Sequence, residues 1–120
     1  LPLDVAAGLA LPSGSTAEGL ARMFANYRRF GVASPVFDLA FAWLKERVED
    51  RPAQAIVHGD FRSGNFLVAP DGLVAVLDWE LAHLGDGHED LGWLCGNAWR
   101  FGLWDRPVGG FGQRDDLYAA

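Results

Sequence analysis

Three polar residues near the middle of the chain, Asp60, Asn65 and Asp78, have side chains suited to the transfer of a phosphoryl group. Such a transfer needs a carboxylate beside the attacking hydroxyl, and it needs hard oxygen ligands that hold Mg²⁺ where charge develops on the phosphates. Asp60 can supply the carboxylate. Asn65 offers a neutral ligand and Asp78 a charged one, so together they can bind a Mg²⁺ that still coordinates phosphate oxygens and water.

The spacing of these residues follows the pattern of a kinase catalytic loop. His58, Asp60 and Asn65 fit the sequence H-x-D-x-x-x-x-N, with Gly59 where protein kinases have arginine. Asp78 comes at the end of the next predicted hairpin, where the metal-binding aspartate of a kinase is expected. Each residue alone would be an ordinary loop residue, because Asp and Asn favour loops and strand ends. The joint pattern favours a functional site.

A predicted β-hairpin connects Asn65 to Asp78. Residues 66–68 and 73–77 are apolar runs typical of strands, and the Pro-Asp-Gly sequence at 70–72 is typical of the turn between them. The strands of a hairpin run out and back, so Asn65 and Asp78 should emerge at the same end of the ladder. The hairpin is therefore expected to bring the two candidate metal ligands together.

Two helices are predicted before the strands, and a short strand over residues 55–57 follows them. Ser15 and Glu18 have the spacing of a capping box and open a first helix that reaches Gly31. A serine followed by a proline at 34–35 opens a second helix, which ends near residue 50. Its predicted buried stripe consists of Leu39, Ala40, Trp43 and Leu44.

A third helix is predicted after the hairpin. Asp86 and Glu89 repeat the capping spacing, and apolar residues at helical spacing continue to Phe101, with Gly102 closing the helix. Residues 115–120 look like the first turn of a further helix. The four tryptophans that follow the hairpin strands are expected mostly to pack in the core. They are Trp79, Trp93, Trp99 and Trp104.

Residues 58–65, 76–86 and 89–94 closely resemble the aminoglycoside phosphotransferase and choline kinase-like family. Within it, they look most like the branch related to the kinase-like domains of acyl-CoA dehydrogenase fusion proteins. The resemblance is dense from about residue 55 to residue 118. It implies an α+β fold, the carboxyl-terminal lobe of a protein-kinase-like fold, mainly helical with a small β-hairpin at the catalytic edge. It also implies transfer of the γ-phosphoryl group of ATP, with Mg²⁺, to a hydroxyl of an unknown small molecule.

The resemblance further implies a role for individual residues. Asp60 matches the catalytic aspartate, while Asn65 and Asp78 match the residues that hold magnesium. Arg62 lies where many kinases place a phosphate-facing lysine, which makes it a candidate for nucleotide binding. Asp90, in the next predicted helix, would brace the catalytic loop. His58 is expected to be a structural histidine packed under that loop.

The family's smaller amino-terminal lobe, which covers the nucleotide, has no counterpart in this sequence. The only lysine, Lys45, falls in a predicted helix and not in a strand. Residues 1–120 are therefore expected to form a partial domain, truncated at both ends, that keeps the catalytic and metal-binding side. Such a chain should be inactive alone and should bind Mg·ATP weakly.

Composition limits the classes of partner. The chain has 16 acidic and 10 basic residues and a net charge of -6, which argues against broad binding to nucleic-acid phosphates. Its apolar runs are interrupted well before the roughly 20 residues needed to cross a bilayer. A soluble, cytoplasmic protein with a small-molecule hydroxyl substrate is expected. The single cysteine, Cys95, excludes an internal disulfide.

Two alternative functions remain open. The chain could be a non-catalytic or truncated kinase-like module that only binds a partner, although intact Asp60 and Asp78 argue against a decayed site. A metal-dependent hydrolase is less favoured, because Asp86 and His88 are better explained as a helix cap and an exposed first-turn residue. Mg²⁺ binding with nucleotide would support the kinase interpretation, whereas tight zinc binding without nucleotide would support the hydrolase.

Overall fold

The computed structural model describes residues 8–119 and has the mixed α+β composition that the sequence predicts. Its helices are α1 (Thr16–Arg29), α2 (Pro35–Arg47), α3 (His88–Leu94) and α4 (Arg114–Ala119). Its strands are β1 (Ala55–Val57), β2 (Phe66–Ala69), β3 (Gly72–Val76) and β4 (His83–Gly85). Strand β1 pairs with β4, and β2 pairs with β3. Contacts divide the described residues into two compact units, 8–56 with 84–86, and 57–83 with 87–119.

Helix α1 of the first unit begins as predicted. The Ser15 hydroxyl accepts a hydrogen bond from the Glu18 backbone N–H at 3.4 Å, and the Glu18 carboxylate accepts one from the Ser15 N–H at 2.8 Å. This reciprocal pair is a capping box, which satisfies two N–H groups that the first helical turn cannot bond internally. The helix ends at Arg29, shortly before Gly31, whose φ of +67° suits glycine.

Helix α2 begins at Pro35 as predicted but ends at Arg47, before the expected end near residue 50. Val48 has extended backbone angles (φ -68°, ψ 118°), which stops the helical hydrogen bonding. Ser34 is the N-cap residue, yet its side chain makes no capping bond. Its backbone N–H instead donates to the Tyr27 hydroxyl at 2.9 Å, which ties the start of α2 to α1.

The buried stripe predicted for α2 is wrong. Leu39 and Trp43 are 72% and 53% exposed, and no residue of α2 is buried. The contact with α1 is made by aromatic rings, with Phe41 stacked on Tyr27 at 5.5 Å between centroids and edge-on to Phe24 at 5.0 Å. The predicted helix is present, but its apolar period cannot distinguish a face that packs on a neighbour from one that stays exposed.

In the second unit, β2 and β3 form the predicted antiparallel hairpin. Phe66 pairs with Val76 at one end and Ala69 with Gly72 at the turn, with a register irregularity after Leu67. The ladder thus begins directly after Asn65 and ends just before residue 78. Gly72 has a φ of +127°, a conformation that requires glycine at the tight turn.

The third predicted helix is much shorter than expected. Helix α3 ends at Leu94, a 3₁₀ turn covers Asn97–Arg100, and Phe101 has left-handed backbone angles. The N-cap residue is Gly87 and not Asp86, and glycine has no side chain that could cap the helix. Glycines at 92 and 96 weaken the helix, and at Gly96 the chain turns out of it, so the apolar pattern continues beyond the helix that it seemed to mark.

The core of the second unit is small. Val57, Leu94 and Val108 are 0 to 3% exposed, and the Gly109 backbone N–H donates to the Leu94 carbonyl at 3.0 Å. Residue His58 is also buried, directly after Val57. The loop that carries the candidate site therefore starts from the best-packed part of this unit. No helix within residues 8–119 is long and apolar enough to cross a membrane.

Candidate functional site

Loop 58–65 is anchored by a buried histidine. His58 is 1% exposed, its Nδ1 accepts the Asp60 backbone N–H at 3.1 Å, and its Nε2 lies 2.8 Å from the Leu77 carbonyl oxygen. Because Nδ1 is an acceptor, the ring proton belongs on Nε2, which donates to that carbonyl. A single neutral ring therefore links the loop to the end of β3, in agreement with the structural role predicted for His58.

Asp90 braces the same loop, as the resemblance implies. Its carboxylate accepts the His58 N–H at 2.7 Å and the Gly59 N–H at 3.0 Å. Hydrogen bonds to a charged acceptor are short and strong, and two on one carboxylate fix direction as well as distance. The first turn of α3 thus holds the backbone on which Asp60 sits.

Gly59 must be glycine for two reasons. Its φ is +85°, and a Cβ there would lie 2.8 Å from the Leu81 carbonyl oxygen.

We expect Gly59→Ala to lower the free energy of unfolding by about 3 kcal/mol, because the alanine would be strained in the left-handed conformation and its Cβ would also collide with the backbone. Gly31→Ala is the matched control, because Gly31 has a φ of +67° with nothing within 4 Å, and it should cost only about 1 kcal/mol. Urea unfolding measures both, and equal losses would contradict the collision.

The Asp60 carboxylate is held by three donors. Trp93 Nε1 donates to Oδ1 at 2.8 Å, while Arg62 Nε and Asn65 Nδ2 donate to Oδ2 at 2.9 Å each. The Asp60 side chain is 20% exposed, and that of Arg62 is 28% exposed. The carboxylate is thereby fixed in orientation while part of it stays open to solvent.

These contacts shift the pKa of Asp60. Burial alone raises it, but hydrogen bonds from Trp93, Arg62 and Asn65, with the positive charge of Arg62, outweigh burial and hold the pKa below the ordinary 3.8. The carboxylate therefore stays ionised at neutral pH and can accept a hydrogen bond from a hydroxyl.

The lowered pKa of Asp60 predicts how the free energy of unfolding changes at acidic pH. The ionised Asp60 stabilises the fold above its unfolded-state pKa, and this contribution is lost as the pH falls through the lower folded-state pKa. We therefore expect the difference in unfolding free energy between wild type and Asp60→Asn to shrink as the pH is lowered from about 6 to about 3. Urea unfolding across this range is the measurement. A pH-independent difference would show that the carboxylate is not preferentially ionised in the fold.

Arg62 lies over an aromatic ring as well as beside Asp60. Its guanidinium carbon is 5.0 Å from the centroid of Trp99, a cation–π distance, and a Cβ at Gly64 would collide with its Nη1. The Trp99 ring packs in turn on Trp93 with centroids 5.3 Å apart. The guanidinium is thus placed in the site, with its charge next to the candidate catalytic carboxylate.

Asn65 is 6% exposed, and its amide orientation follows from its bonds. Nδ2 donates to the backbone carbonyl and the Oδ2 of Asp60, both at 2.9 Å. Both amide hydrogens are therefore used, so Oδ1 is the atom that Asn65 can offer to a cation. A neutral carbonyl oxygen fixed in this way suits a hard divalent ion such as Mg²⁺.

Asp78 stands at the end of the hairpin in a left-handed conformation, with φ 66° and ψ 58°. The residue before it, Leu77, donates its N–H to the Asn65 carbonyl at 2.8 Å, and its own carbonyl accepts from His58. The backbone leading into Asp78 is therefore tied to both ends of the 58–65 loop. Its side chain is exposed and carries a charge that a metal can use. Convergence of its carboxylate with Asp60 stays a prediction.

The clustered site that a metal-dependent hydrolase requires has no counterpart within residues 8–119. No three His, Cys, Asp or Glu side chains are grouped there so as to hold a metal ion. His83 instead contacts Glu89, with Nε2 3.3 Å from Oε2. The proposed pair of ligands, Asn65 and Asp78, is of a different kind, since it leaves most of the coordination sphere to phosphate and water.

Trp93 is the site residue that the sequence interpretation missed. The sequence predicts core packing for most of the tryptophans, but residue Trp93 is 45% exposed and its indole N–H donates to Asp60. Trp79 and Trp104 are likewise 40% and 66% exposed. The signal available in the sequence was the i, i+3 spacing from Asp90, which places Trp93 on the helix face that meets the loop.

The loop, the brace and the hairpin form one hydrogen-bonded group in the second unit. The profile of the phosphotransferase enzyme family matches residues 8–120, and the chain belongs to this family. Acyl-CoA dehydrogenase family member 10 of Mus musculus is 36% identical over 73 residues, covering 58% of this chain and 7% of that protein. Acyl-CoA dehydrogenase family member 11 of Mus musculus is 36% identical over 77 residues, covering 62% and 9%. The chain spans less than a tenth of the length of these relatives. The resemblance to this branch is thereby confirmed.

Proposed function

We propose that this chain carries the catalytic side of an enzyme that moves the γ-phosphoryl group of ATP to a hydroxyl of a small molecule. The observation that supports this most directly is the fixed, ionised carboxylate of Asp60, whose Oδ2 accepts a hydrogen bond from the amide of Asn65. Membership of the phosphotransferase family agrees with the reaction type. The acceptor and the use of ATP belong to the proposal.

In the proposed reaction, Asp60 acts on the acceptor. Its carboxylate accepts a hydrogen bond from the acceptor hydroxyl and takes up the proton as the hydroxyl oxygen bonds to the γ-phosphorus. The bond between that phosphorus and the bridging oxygen breaks, and ADP leaves. Mg²⁺, when bound, would neutralise charge on the phosphates, with Asn65 Oδ1 and the Asp78 carboxylate as its protein ligands. The Arg62 guanidinium adds positive charge beside the transferred group.

The test is a product assay with the full-length protein. Purified protein, Mg·ATP and a panel of small alcohols are incubated, and ADP and phosphorylated acceptor are quantified by mass spectrometry. We expect ADP and phosphoester to form in equal amounts for at least one alcohol. Zn²⁺-dependent hydrolysis without nucleotide, or nucleotide-independent partner binding with no ADP, would instead support one of the alternative functions.

We also propose that residues 1–120 are a partial domain of the carboxyl-terminal-lobe type. If the nucleotide is normally held between two lobes, this chain alone keeps the candidate metal ligands but few contacts to adenine. We expect the isolated chain to bind Mg·ATP no more tightly than about 1 mM, equivalent to ~4 kcal/mol. Calorimetric titration of the chain measures this affinity, and a micromolar dissociation constant would show that the nucleotide site is complete within it.

A further inference from the structure

The Asp60 carboxylate keeps one acceptor position that no hydrogen bond within residues 8–119 fills. An ionised carboxylate offers about two positions on each oxygen. Oδ2 receives both Arg62 and Asn65, whereas Oδ1 receives only the indole N–H of Trp93. The position left for a substrate hydroxyl is therefore the second one on Oδ1, next to the indole.

We propose that Trp93 positions Asp60 for phosphoryl transfer and borders the acceptor, because its indole N–H occupies one side of Oδ1 and directs the acceptor hydroxyl to the other. This inference rests on the proposed function of Asp60. Two donors that share one carboxylate oxygen lie within about 5 Å of each other, so the acceptor oxygen would lie that close to the indole nitrogen.

The arrangement around Trp93 is a closed ring of four contacts. Asp60 bonds to Trp93, Trp93 packs on Trp99, the Arg62 guanidinium lies over Trp99, and Arg62 bonds back to Asp60. Each side chain in the ring is therefore held by two neighbours. The ring is anchored through α3, because Asp90, one turn before Trp93, binds the backbone at residues 58 and 59.

The exposure of Trp93 indicates the chemistry of the acceptor. A tryptophan that only filled the core would be buried, whereas residue Trp93 is 45% exposed although its indole N–H is bonded. Its free surface is apolar and lies beside the oxygen that the hydroxyl must reach. The site thus suits an alcohol whose hydroxyl is flanked by carbon atoms on the indole side, and it disfavours one with a carboxylate there, because the face of an indole ring is negative.

The experiment compares the full-length wild-type protein with its Trp93→Phe variant. With Mg·ATP and water as the acceptor, kcat should fall about 10- to 100-fold while KM for Mg·ATP stays within about twofold. Trp104→Phe, at a site 66% exposed, is the control and should change none of these quantities.

The outcomes separate this inference from the proposed function. In Trp93→Phe, an unchanged kcat, or a rise in KM that matches the loss of kcat, would overturn the positioning role. A second probe compares a simple aliphatic alcohol with its carboxylate-bearing analogue, and wild type should prefer the former more strongly than Trp93→Phe does. If wild type forms no ADP at all, the proposed function fails and the role of Trp93 with it.

Discussion

Replacing Asp60 by asparagine should reduce kcat for phosphoryl transfer by about 10²- to 10⁴-fold, the usual contribution of a positioned general base. Asparagine keeps the size of the side chain, but it cannot take up a proton from the acceptor. Its single oxygen also cannot serve both Trp93 and the pair Arg62 and Asn65. KM for Mg·ATP should change little, because Asp60 is expected to act on the acceptor. Steady-state kinetics of the full-length variant, by ADP release, give both quantities.

The matched control for this variant is Asp71→Asn. Asp71 lies in the turn between β2 and β3 and is exposed, so Asp71→Asn is the same chemical change in the same compact unit but away from the site. It should retain wild-type kcat. Thermal unfolding of both variants distinguishes loss of chemistry from loss of fold. A folded Asp60→Asn variant with more than a tenth of wild-type kcat would rule out Asp60 as the base.

The features that the sequence predicted correctly are those set by local chemistry. The capping box at Ser15 and the turn at Gly72 depend on residues close in sequence, and both appear in the structure. The end of α3 depends on glycines at 92 and 96, which an apolar pattern conceals. Exposure of Leu39 depends on what covers α2, and no periodicity in the helix itself contains that information.

In the candidate site, too, the contacts between residues close in sequence were predictable and those between distant residues were not. The motif placed Asp60, Arg62 and Asn65 within one loop, and their mutual hydrogen bonds follow from that closeness. The contact with Trp93 joins residues 33 apart and needs the path of α3, so the motif alone could not indicate it. Asp90 was found only through the family resemblance. Long-range contacts of this kind are fixed by packing, which the linear spacing of a motif does not encode.

Removing the carboxylate at Asp78 should abolish metal-dependent turnover. We expect Asp78→Ala in the full-length protein to lower kcat at saturating Mg²⁺ by at least about 10³-fold, or ~4 kcal/mol, because a charged ligand is lost from the ion that neutralises the phosphates. Asp78 also has a left-handed backbone, with φ 66°, and alanine is disfavoured there by about 1–2 kcal/mol. Asp78→Ala alone would therefore confuse loss of the ligand with loss of the fold.

Asp78→Gly separates the two effects. Glycine adopts the left-handed conformation without cost, so this variant should unfold no more easily than Asp78→Ala and yet be equally inactive. Asp105→Ala, at a side chain 82% exposed, serves as the control for removing a surface carboxylate. Paramagnetic resonance with Mn²⁺ in the presence of ATP reports metal binding directly, and both variants should bind it more weakly than wild type. Near-normal turnover of Asp78→Gly at saturating Mg²⁺ would show that the metal is held elsewhere, and that the hairpin serves only to support loop 58–65.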